Sequence, residues 1–200
     1  MFITFEGIDG CGKTTQVKLL KSYFETKGFE VISVREPGST KISEQIRSIL
    51  LNSKNTDIGL ESEALLFSSA RAQIVKEVII PSLNDKKIVI CDRFIDSTLA
   101  YQGYGRGMDL KKLDVISSFA IKDNYPEYTF FIDISIEESK KRLNNASLDR
   151  MESAGNDFFT RVRNGFIELT KVNPNRIHLI DGKLSVRMIH SRIINIINRK

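Results

Sequence analysis

Short runs of apolar residues alternate along the chain with longer segments whose apolar positions recur every three or four residues. The short runs predict buried strands, and the longer segments predict amphipathic helices between them. The predicted strands cover residues 2–5, 30–35, 87–92, 128–134 and 176–180. The predicted helices cover residues 14–27, 41–51, 61–80, 96–102 and 110–121, a segment after Ser135, a segment ending near 172, and 185–198.

This alternation of strands and helices predicts one α/β domain, with a parallel five-stranded sheet wrapped by helices on both faces. Three local signals mark expected boundaries. Ser135, followed three residues later by Glu138, is a capping box that begins a helix. Pro81 is expected to end the helix before it, and the glycine-rich segment 103–107 is expected to form a turn. The sequence shows no repeat or linker that would divide residues 1–200.

The composition, 41% apolar and 28% charged, is that of an ordinary globular domain. The sequence has no apolar stretch long enough for a membrane span, and its first residues do not match a secretory signal. Cys11 and Cys91 cannot supply a disulfide framework, so we expect a cytoplasmic protein. The net charge of +5 suits either nucleic acid or small phosphorylated substrates.

Residues 7–14 match the pattern G-x-x-x-x-G-K-[ST], with a predicted strand before them and a predicted helix after them. The glycines let successive backbone N–H groups surround phosphate oxygens at the positive end of the helix. Lys13 is expected to reach the β- and γ-phosphates, and the Thr14 hydroxyl to coordinate Mg²⁺. The pattern therefore predicts a P-loop NTPase fold. The predicted ATP-binding residues are Gly7, Ile8, Asp9, Gly10, Cys11, Gly12, Lys13, Thr14 and Thr15.

Two further charged motifs follow predicted strands: Arg-Glu-Pro-Gly at 35–38 and Asp-Arg at 92–93. Ligands bind at the carboxyl ends of strands in open α/β sheets. We therefore expect Arg35 to hold a second phosphate group, and Asp92 to hold Mg²⁺ together with Thr14. The sequence lacks the Asn-Lys-x-Asp tetrad of GTPases, and 200 residues leave little room for the extra domain of a motor ATPase. Of the classes of P-loop protein considered, the nucleotide and nucleoside kinases therefore remain as candidates.

The order and spacing of these motifs resemble the thymidylate kinase family, whose members transfer the γ-phosphoryl group of ATP to dTMP. The resemblance also includes Phe-Glu-Gly at 5–7, Tyr-Gln-Gly at 101–103 and Leu-Asp-Arg at 148–150. It implies phosphorylation of dTMP to dTDP in dTTP biosynthesis, with ATP-Mg²⁺ as donor, no nucleic-acid or membrane partner, and a homodimer. It also implies a single nucleoside-monophosphate-kinase-like domain with a lid segment at about residues 140–156.

The same resemblance implies which residues bind dTMP. Asp9 would bind the 3′-hydroxyl group, Arg35 and Arg93 would hold the phosphate, and Tyr101 would lie beneath the deoxyribose. Pro37 would line the same site. The residues expected around the pyrimidine are Phe67, Arg71, Thr98 and Gln102. Phe67 and Arg71 lie four residues apart and project from one helix face, although this spacing also suits a core phenylalanine and a solvated arginine.

The resemblance implies a catalytic set of Lys13, Arg93 and a lid cation. Some thymidylate kinases carry a catalytic arginine at the position of Gly10, so this chain is expected to supply the charge from the lid instead. The candidates are Lys141, Arg142 and Arg150, and Arg150 is preferred because it belongs to the Leu-Asp-Arg motif. Three positions depart from the family pattern: Ser39 replaces a common glycine, Phe94 replaces Tyr or His, and residues 144–147 are poor in arginine.

Two alternatives stay open on the sequence. A deoxynucleoside kinase is of similar size but usually has Glu-Arg-Ser where this chain has Asp-Arg-Phe at 92–94, and its substrate has no phosphate for Arg35 to hold. A basic nucleic-acid-binding module that uses ATP would be retained on DNA in a salt-dependent way.

Cys11 lies beside Lys13 near a helix N-terminus. Two interpretations of this residue stay open: these surroundings lower the pKa of its thiol, or the position only requires a small residue.

Overall fold

A computed structural model describes residues 1–143 and 149–199 of the chain. The strands are β1 (Phe2–Glu6), β2 (Val31–Arg35), β3 (Ile88–Asp92), β4 (Tyr128–Asp133) and β5 (Ile177–Asp181). They form one five-stranded sheet in the order β2-β3-β1-β4-β5, and each neighbouring pair is parallel. The predicted five-stranded parallel sheet is confirmed.

Helices connect successive strands and cover both faces of the sheet. They are α1 (Lys13–Thr26), α2 (Lys41–Leu51), α3 (Leu60–Ile74), α4 (Ile80–Asn84), α5 (Ile95–Thr98), α6 (Leu110–Ile121), α7 (Ile136–Leu143), α8 (Asn156–Val172) and α9 (Val186–Ile197). The described residues also include two π-helical turns, Val75–Ile79 and Leu99–Gly105, and a 3-10 turn, Glu152–Ala154. Within the described part of the chain, no helix combines the length and the apolar character that a membrane crossing requires.

The central strand β1 is buried along its whole length, as its uninterrupted apolar run predicts. Ile3 and Phe5 pack with Leu20 of α1 in the larger core cluster, whereas Phe2 packs with Ile74 of α3 in the smaller one. Side chains of successive strand residues point to opposite faces, so one strand supplies both clusters. The parallel register then brings the carboxyl ends of β1, β2 and β3 to the same edge of the sheet.

The prediction that a helix ends at Pro81 is wrong. The chain instead passes from α3 through the π-helical turn Val75–Ile79 into α4, and Pro81 lies in the first turn of that helix. A proline is tolerated there because the first N–H groups of a helix have no intrahelical acceptor. The local sequence signal is sound, but it marks the beginning of a new helix.

The prediction of a turn at residues 103–107 is also wrong in part, because the π-helical turn Leu99–Gly105 includes its first three residues. Gly105 lies against α8, where an added Cβ would come within 2.6 Å of the Phe158 ring and 2.8 Å of Val162. The glycine therefore permits close packing of two helices. Its presence in the sequence indicates this contact rather than a turn.

Candidate active site

The phosphate-binding loop joins the carboxyl end of β1 to α1. Gly7, Gly10 and Gly12 have φ angles of 135°, 77° and 104°, a region that side chains with a Cβ rarely adopt. Lys13 is buried and folds back over the loop, where its Nζ donates to the carbonyl oxygens of Gly7 at 3.0 Å and Ile8 at 3.2 Å. The loop thus has the backbone curvature and the lysine position that its sequence pattern predicts.

Thr14 and Asp92 are brought together at the carboxyl ends of β1 and β3. The Thr14 hydroxyl donates to Oδ2 of Asp92 at 2.8 Å. No group of three or more His, Cys, Asp or Glu side chains within residues 1–143 and 149–199 could hold a metal ion by itself. One hydroxyl and one carboxylate fit Mg²⁺, which keeps several waters and takes further oxygen ligands from bound phosphates.

Two clefts open on either side of Arg93. The phosphate cleft, of about 650 Å³, contains the loop residues and is lined by Asp9, Gly10, Gly12, Lys13, Thr14, Thr15, Arg35, Glu36, Arg47, Asp92 and Arg93. The acceptor cleft, of about 580 Å³, is lined by Asp9, Glu36, Pro37, Arg47, Leu51, Phe67, Arg71, Arg93, Ser97, Thr98, Tyr101, Gln102, Asp149 and Met151. Asp9, Glu36, Arg47 and Arg93 line both, so a group bound in one cleft meets a group bound in the other at these side chains.

Arg93 is held firmly where the two clefts meet. Its Nη2 donates to Oδ1 of Asp9 at 2.7 Å, and its guanidinium lies 5.0 Å from the centre of the Tyr101 ring. Burial acts to raise the pKa of Asp9, but the Arg93 and Lys13 cations outweigh it and lower that pKa to about 2. Asp9 is therefore a carboxylate at neutral pH, and it can accept a hydrogen bond from a bound ligand.

The buried Glu6 carboxyl group fixes the backbone that carries Arg93. Glu6 accepts hydrogen bonds from the backbone N–H groups of Phe94 at 2.8 Å and Ser97 at 3.2 Å, and from the Ser97 hydroxyl at 2.6 Å. These bonds support Arg93 in a left-handed backbone conformation, with φ 69°. Burial, followed by the nearby Asp96 carboxylate, raises the pKa of Glu6 to about 8.

Replacing Glu6 by glutamine is expected to change how stability depends on pH. The folded protein holds the Glu6 proton up to about pH 8, whereas the unfolded chain releases it near the ordinary value of 4.5. The wild-type protein therefore loses stability through this group as pH rises between those values, at up to about 1.4 kcal/mol per pH unit. Urea unfolding from pH 5 to 8 should show a smaller decline for Glu6→Gln, and parallel curves for the two proteins would contradict this.

The far end of the acceptor cleft is formed by α3 and by the segment that follows β3. Phe67 and Arg71 both line the cleft, so the prediction that they share one helix face is confirmed. Arg71 is not solvated, because its Nε lies 2.6 Å from Oε1 of the equally buried Glu36. Burial, opposed by Arg71, raises the pKa of Glu36 to about 7.

Several polar groups at this end are buried without a hydrogen-bond partner. They are Nη1 of Arg71, Oγ1 of Thr98 and the hydroxyl of Tyr101. Burial raises the pKa of Tyr101, which keeps that hydroxyl neutral. Buried polar groups in native proteins are nearly always paired, so unpaired groups that line one cleft indicate a polar ligand.

Arg47 on α2 lines both clefts, although the sequence reasoning did not select it. Its Nη1 donates to the carbonyl oxygen of Pro37 at 2.8 Å. Ser43 and Leu50, four residues before and three residues after it, are the buried residues of α2. This spacing places Arg47 on the inward face of the helix, and it is the sequence feature from which Arg47 could have been selected as a site residue.

Arg35 lies at the phosphate cleft and is half exposed. Its Nη2 donates to both carboxylate oxygens of Glu44, at 3.0 and 3.1 Å, and its Nη1 donates to the Pro37 carbonyl at 3.4 Å. It does not line the acceptor cleft, unlike Arg47 and Arg93. The cations that converge on the junction are therefore Arg93 and Arg47, with Arg35 beside them.

The helix α7 packs directly on the phosphate-binding loop. The Ser139 hydroxyl donates to the Asp9 carbonyl oxygen at 2.6 Å, and an added Cβ on Gly10 would lie 3.1 Å from the Ser139 carbonyl. Arg142 donates from Nη2 to the Gly182 carbonyl at 3.0 Å and from Nη1 to the Gly10 carbonyl at 3.4 Å. Lys141 and Arg142 are both exposed, and Arg142 is the one that reaches the loop, while its Nε donates to Oε1 of Glu138 at 2.7 Å.

The structure does not bring Arg150 to the phosphate-binding loop, which corrects the preference for it as the lid cation. Its side chain is 9% exposed and is held between α2 and α3. Nη1 lies 2.6 Å from Oε2 of Glu63, and Nε donates to the Leu50 carbonyl at 2.7 Å. A buried ion pair of this kind fixes the guanidinium. Residues 144–148 of the predicted lid lie outside the described residues.

Of the two interpretations of Cys11, the one with a lowered thiol pKa is wrong. The thiol is buried, and burial raises its pKa despite the opposing influence of Lys13. Its Sγ would lie 2.9 Å from a Cβ added at Gly7, so the thiol packs against the loop glycine and leaves no room for a side chain at position 7. Cys11 therefore serves packing within the loop.

A family model for thymidylate kinases matches residues 5–193, nearly the whole chain and all the motifs described above. The chain belongs to the thymidylate kinase family. It is 49% identical to the thymidylate kinase of Prosthecochloris aestuarii over 203 residues, covering 96% of this chain and 91% of that one. It is 47% identical to that of Kosmotoga olearia over 195 residues, covering 97% and 93%. The crystal structure of thymidylate kinase from Ehrlichia chaffeensis has a TM-score of 0.81 and 42% identity, covering 98% of both chains.

Two of the three departures from the thymidylate kinase pattern have a structural explanation. Ser39 has φ 68°, and its Oγ accepts a hydrogen bond from the Arg35 backbone N–H at 2.9 Å, which secures the turn that a glycine usually forms. Phe94 is fully buried and packs edge-on against Phe2 at 4.9 Å, where no polar group is required. The third departure, at residues 144–147, lies outside the described residues.

Proposed function

We propose that this thymidylate kinase family member transfers the γ-phosphoryl group of ATP-Mg²⁺ to dTMP, forming dTDP and ADP for dTTP synthesis. The observation that carries the proposal is the pair of clefts joined at Asp9 and Arg93. One cleft contains a phosphate-binding loop, and the other ends in an aromatic ring and a guanidinium. Two phosphorylated ligands can therefore meet end to end at the shared cations.

The cleft lining supports a role for each site residue. In the phosphate cleft, the loop and Lys13 would hold the ATP phosphates, while Thr14 and Asp92 would hold Mg²⁺. When bound, that ion would neutralise charge on the donor phosphates. In the acceptor cleft, Arg93 would hold the dTMP phosphate, with Arg35 beside it, and Asp9 would accept a hydrogen bond from the 3′-hydroxyl. The residues assigned to the nucleoside are Pro37, Phe67, Arg71, Thr98, Tyr101 and Gln102.

These residues position the two substrates for direct transfer. Phosphoryl transfer needs alignment of the attacking and leaving oxygens and stabilisation of charge on the transferred group. Arg93, fixed by Asp9 and by the turn that Glu6 supports, provides a cation at the junction of the clefts. Arg142, at the Gly10 carbonyl, is the lid cation that the geometry favours.

The test is ADP release measured with dTMP or with thymidine as acceptor. We expect strong ADP release with dTMP and almost none with thymidine, because Arg47 and Arg93, with Arg35 beside them, present charge to an acceptor phosphate. A deoxynucleoside kinase would show the opposite preference. ADP release that depends on neither acceptor would contradict both assignments.

We also propose that the protein is a homodimer. Large apolar side chains are exposed on three neighbouring helices, and Phe119 of α6 is 86% exposed. The others are Ile42 and Ile49 of α2, Leu60 and Leu65 of α3, and Leu110 and Val115 of α6. Such a surface usually marks a protein interface. Sedimentation velocity is expected to give twice the monomer mass for the wild type and a monomer for Phe119→Glu, and a monomeric wild type would contradict the proposal.

Both cysteines are free thiols within the described structure, which supports the proposal that the protein works in the reducing cytoplasm.

A further inference from the structure

Glu63 of α3 lies behind the acceptor cleft and outside the residues that line it. Its side chain is only 1% exposed, and donors from three residues in two segments of the chain surround its carboxyl group. Oε1 accepts from Nε2 of Gln102 at 3.0 Å and from Nε of Arg106 at 3.2 Å. Oε2 accepts from Nη2 of Arg106 at 3.1 Å and lies 2.6 Å from Nη1 of Arg150.

This set of donors keeps Glu63 ionised. Burial acts to raise the pKa of Glu63, but the hydrogen bonds from Arg106, Gln102 and Arg150 outweigh it and lower the pKa. An ionised carboxylate only accepts hydrogen bonds. Any neutral polar group that contacts Glu63 must therefore turn a donor towards it.

Gln102 is the neutral group in this position, and its amide has one donor end and one acceptor end. It is 2% exposed, and it lines the acceptor cleft together with Phe67 and Arg71. Turning the amide over would set its oxygen against the Glu63 carboxylate, two acceptors within hydrogen-bond distance in a buried site. One N–H of the amide is therefore committed to Glu63, and the amide oxygen is the acceptor that this orientation leaves for a ligand in the cleft.

We propose that Glu63 is a positioning residue for base specificity: it fixes the Gln102 amide so that a bound pyrimidine meets a hydrogen-bond acceptor. The proposal rests on the proposed function, with the pyrimidine of the acceptor nucleotide at this end of the cleft. Thymine and uracil carry an N–H donor at ring position 3, whereas the same nitrogen of cytosine is an acceptor. Glu63 thus favours the thymine-type edge without touching the substrate.

The test is the ratio of kcat/KM for dTMP to kcat/KM for dCMP in the wild type and in Glu63→Gln. A glutamine at position 63 has both a donor and an acceptor, so the Gln102 amide can adopt either orientation. We expect the ratio to fall about 10-fold or more, because the site no longer repels the acceptor nitrogen of cytosine. A residue with only a structural role would lower both values of kcat/KM together and leave the ratio unchanged.

Arg106→Gln is the matched control. It removes two hydrogen bonds from Glu63 but leaves a carboxylate that Arg150 still neutralises, so stability should fall while the ratio stays near the wild-type value.

An unchanged ratio in folded Glu63→Gln, or an equal fall in both variants, overturns the proposal. Should Glu63→Gln fail to fold, the double variant Glu63→Gln/Arg106→Gln, which also removes an arginine left without its carboxylate, is measured instead: a lowered ratio supports the proposal, and an unchanged one overturns it. Absence of dTMP phosphorylation by the wild type would instead refute the proposed function.

Discussion

An Arg93→Ala variant is expected to lose about 10³-fold in kcat/KM for dTMP. Arg93 lines both clefts, so its removal takes away charge from the acceptor phosphate and from the transferred group together. It also leaves Asp9 with Lys13, at 3.8 Å, as its remaining ion-pair partner in the described structure. Steady-state ADP release with dTMP as the varied substrate measures the effect.

The matched control is Arg163→Ala. Arg163 makes a two-pronged ion pair with Asp133, at 2.6 and 2.8 Å, and lines neither cleft. The Arg163→Ala variant therefore also loses an arginine that makes two hydrogen bonds to a carboxylate. Its kcat/KM is expected to stay within about 2-fold of the wild type, because surface ion pairs contribute little to stability. Equal losses in the two variants would show that Arg93 acts through stability rather than through charge in the clefts.

Arg142→Ala is expected to slow the single-turnover rate of phosphoryl transfer by about 10²-fold while leaving dTMP affinity nearly unchanged. Arg142 is placed at the Gly10 carbonyl of the phosphate-binding loop, on the donor side of the junction. Rapid-quench measurements with saturating dTMP separate the chemical step from binding.

Arg150→Ala is expected to behave in the opposite way. Removing this arginine leaves Glu63 buried with fewer compensating charges, which should lower the free energy of unfolding by about 3 kcal/mol. Its single-turnover rate per folded molecule should stay within a few-fold of the wild type. A large loss in the chemical step with unchanged stability would restore Arg150 as the lid cation and exclude the role assigned to Arg142.

Much of this fold could be predicted from local patterns in the sequence. The apolar run of β1 predicts a strand that is buried on both faces, and the structure shows it as the central strand. The bounds of α2 and α6 match the predicted ones, because capping residues and turn residues act within a few positions of a helix end. The local patterns gave wrong predictions at Pro81 and Gly105. There a π-helical turn or the packing of one helix against another determined the backbone conformation.

The phosphate-binding loop could also be predicted, because its glycines and Lys13 act through the backbone next to them. Thr14 and Asp92 follow from the rule that the carboxyl ends of parallel strands share one edge of the sheet. For Phe67 and Arg71, helical spacing predicts only the shared helix face, and their place in the site came from the family resemblance. All of these signals are either local in sequence or fixed by the topology alone.

The sequence by itself therefore determined the sheet, the order of the elements and the residues at the strand ends. Only the tertiary structure decided which charged side chains are paired: Arg150 with Glu63, Arg71 with Glu36, and Arg47 with the turn at Pro37. Arg150 and Glu63 are 87 positions apart in the chain, the difference between their residue numbers. A buried charge requires a partner whose distance and direction are set by the packing of whole elements, and no local pattern encodes that geometry.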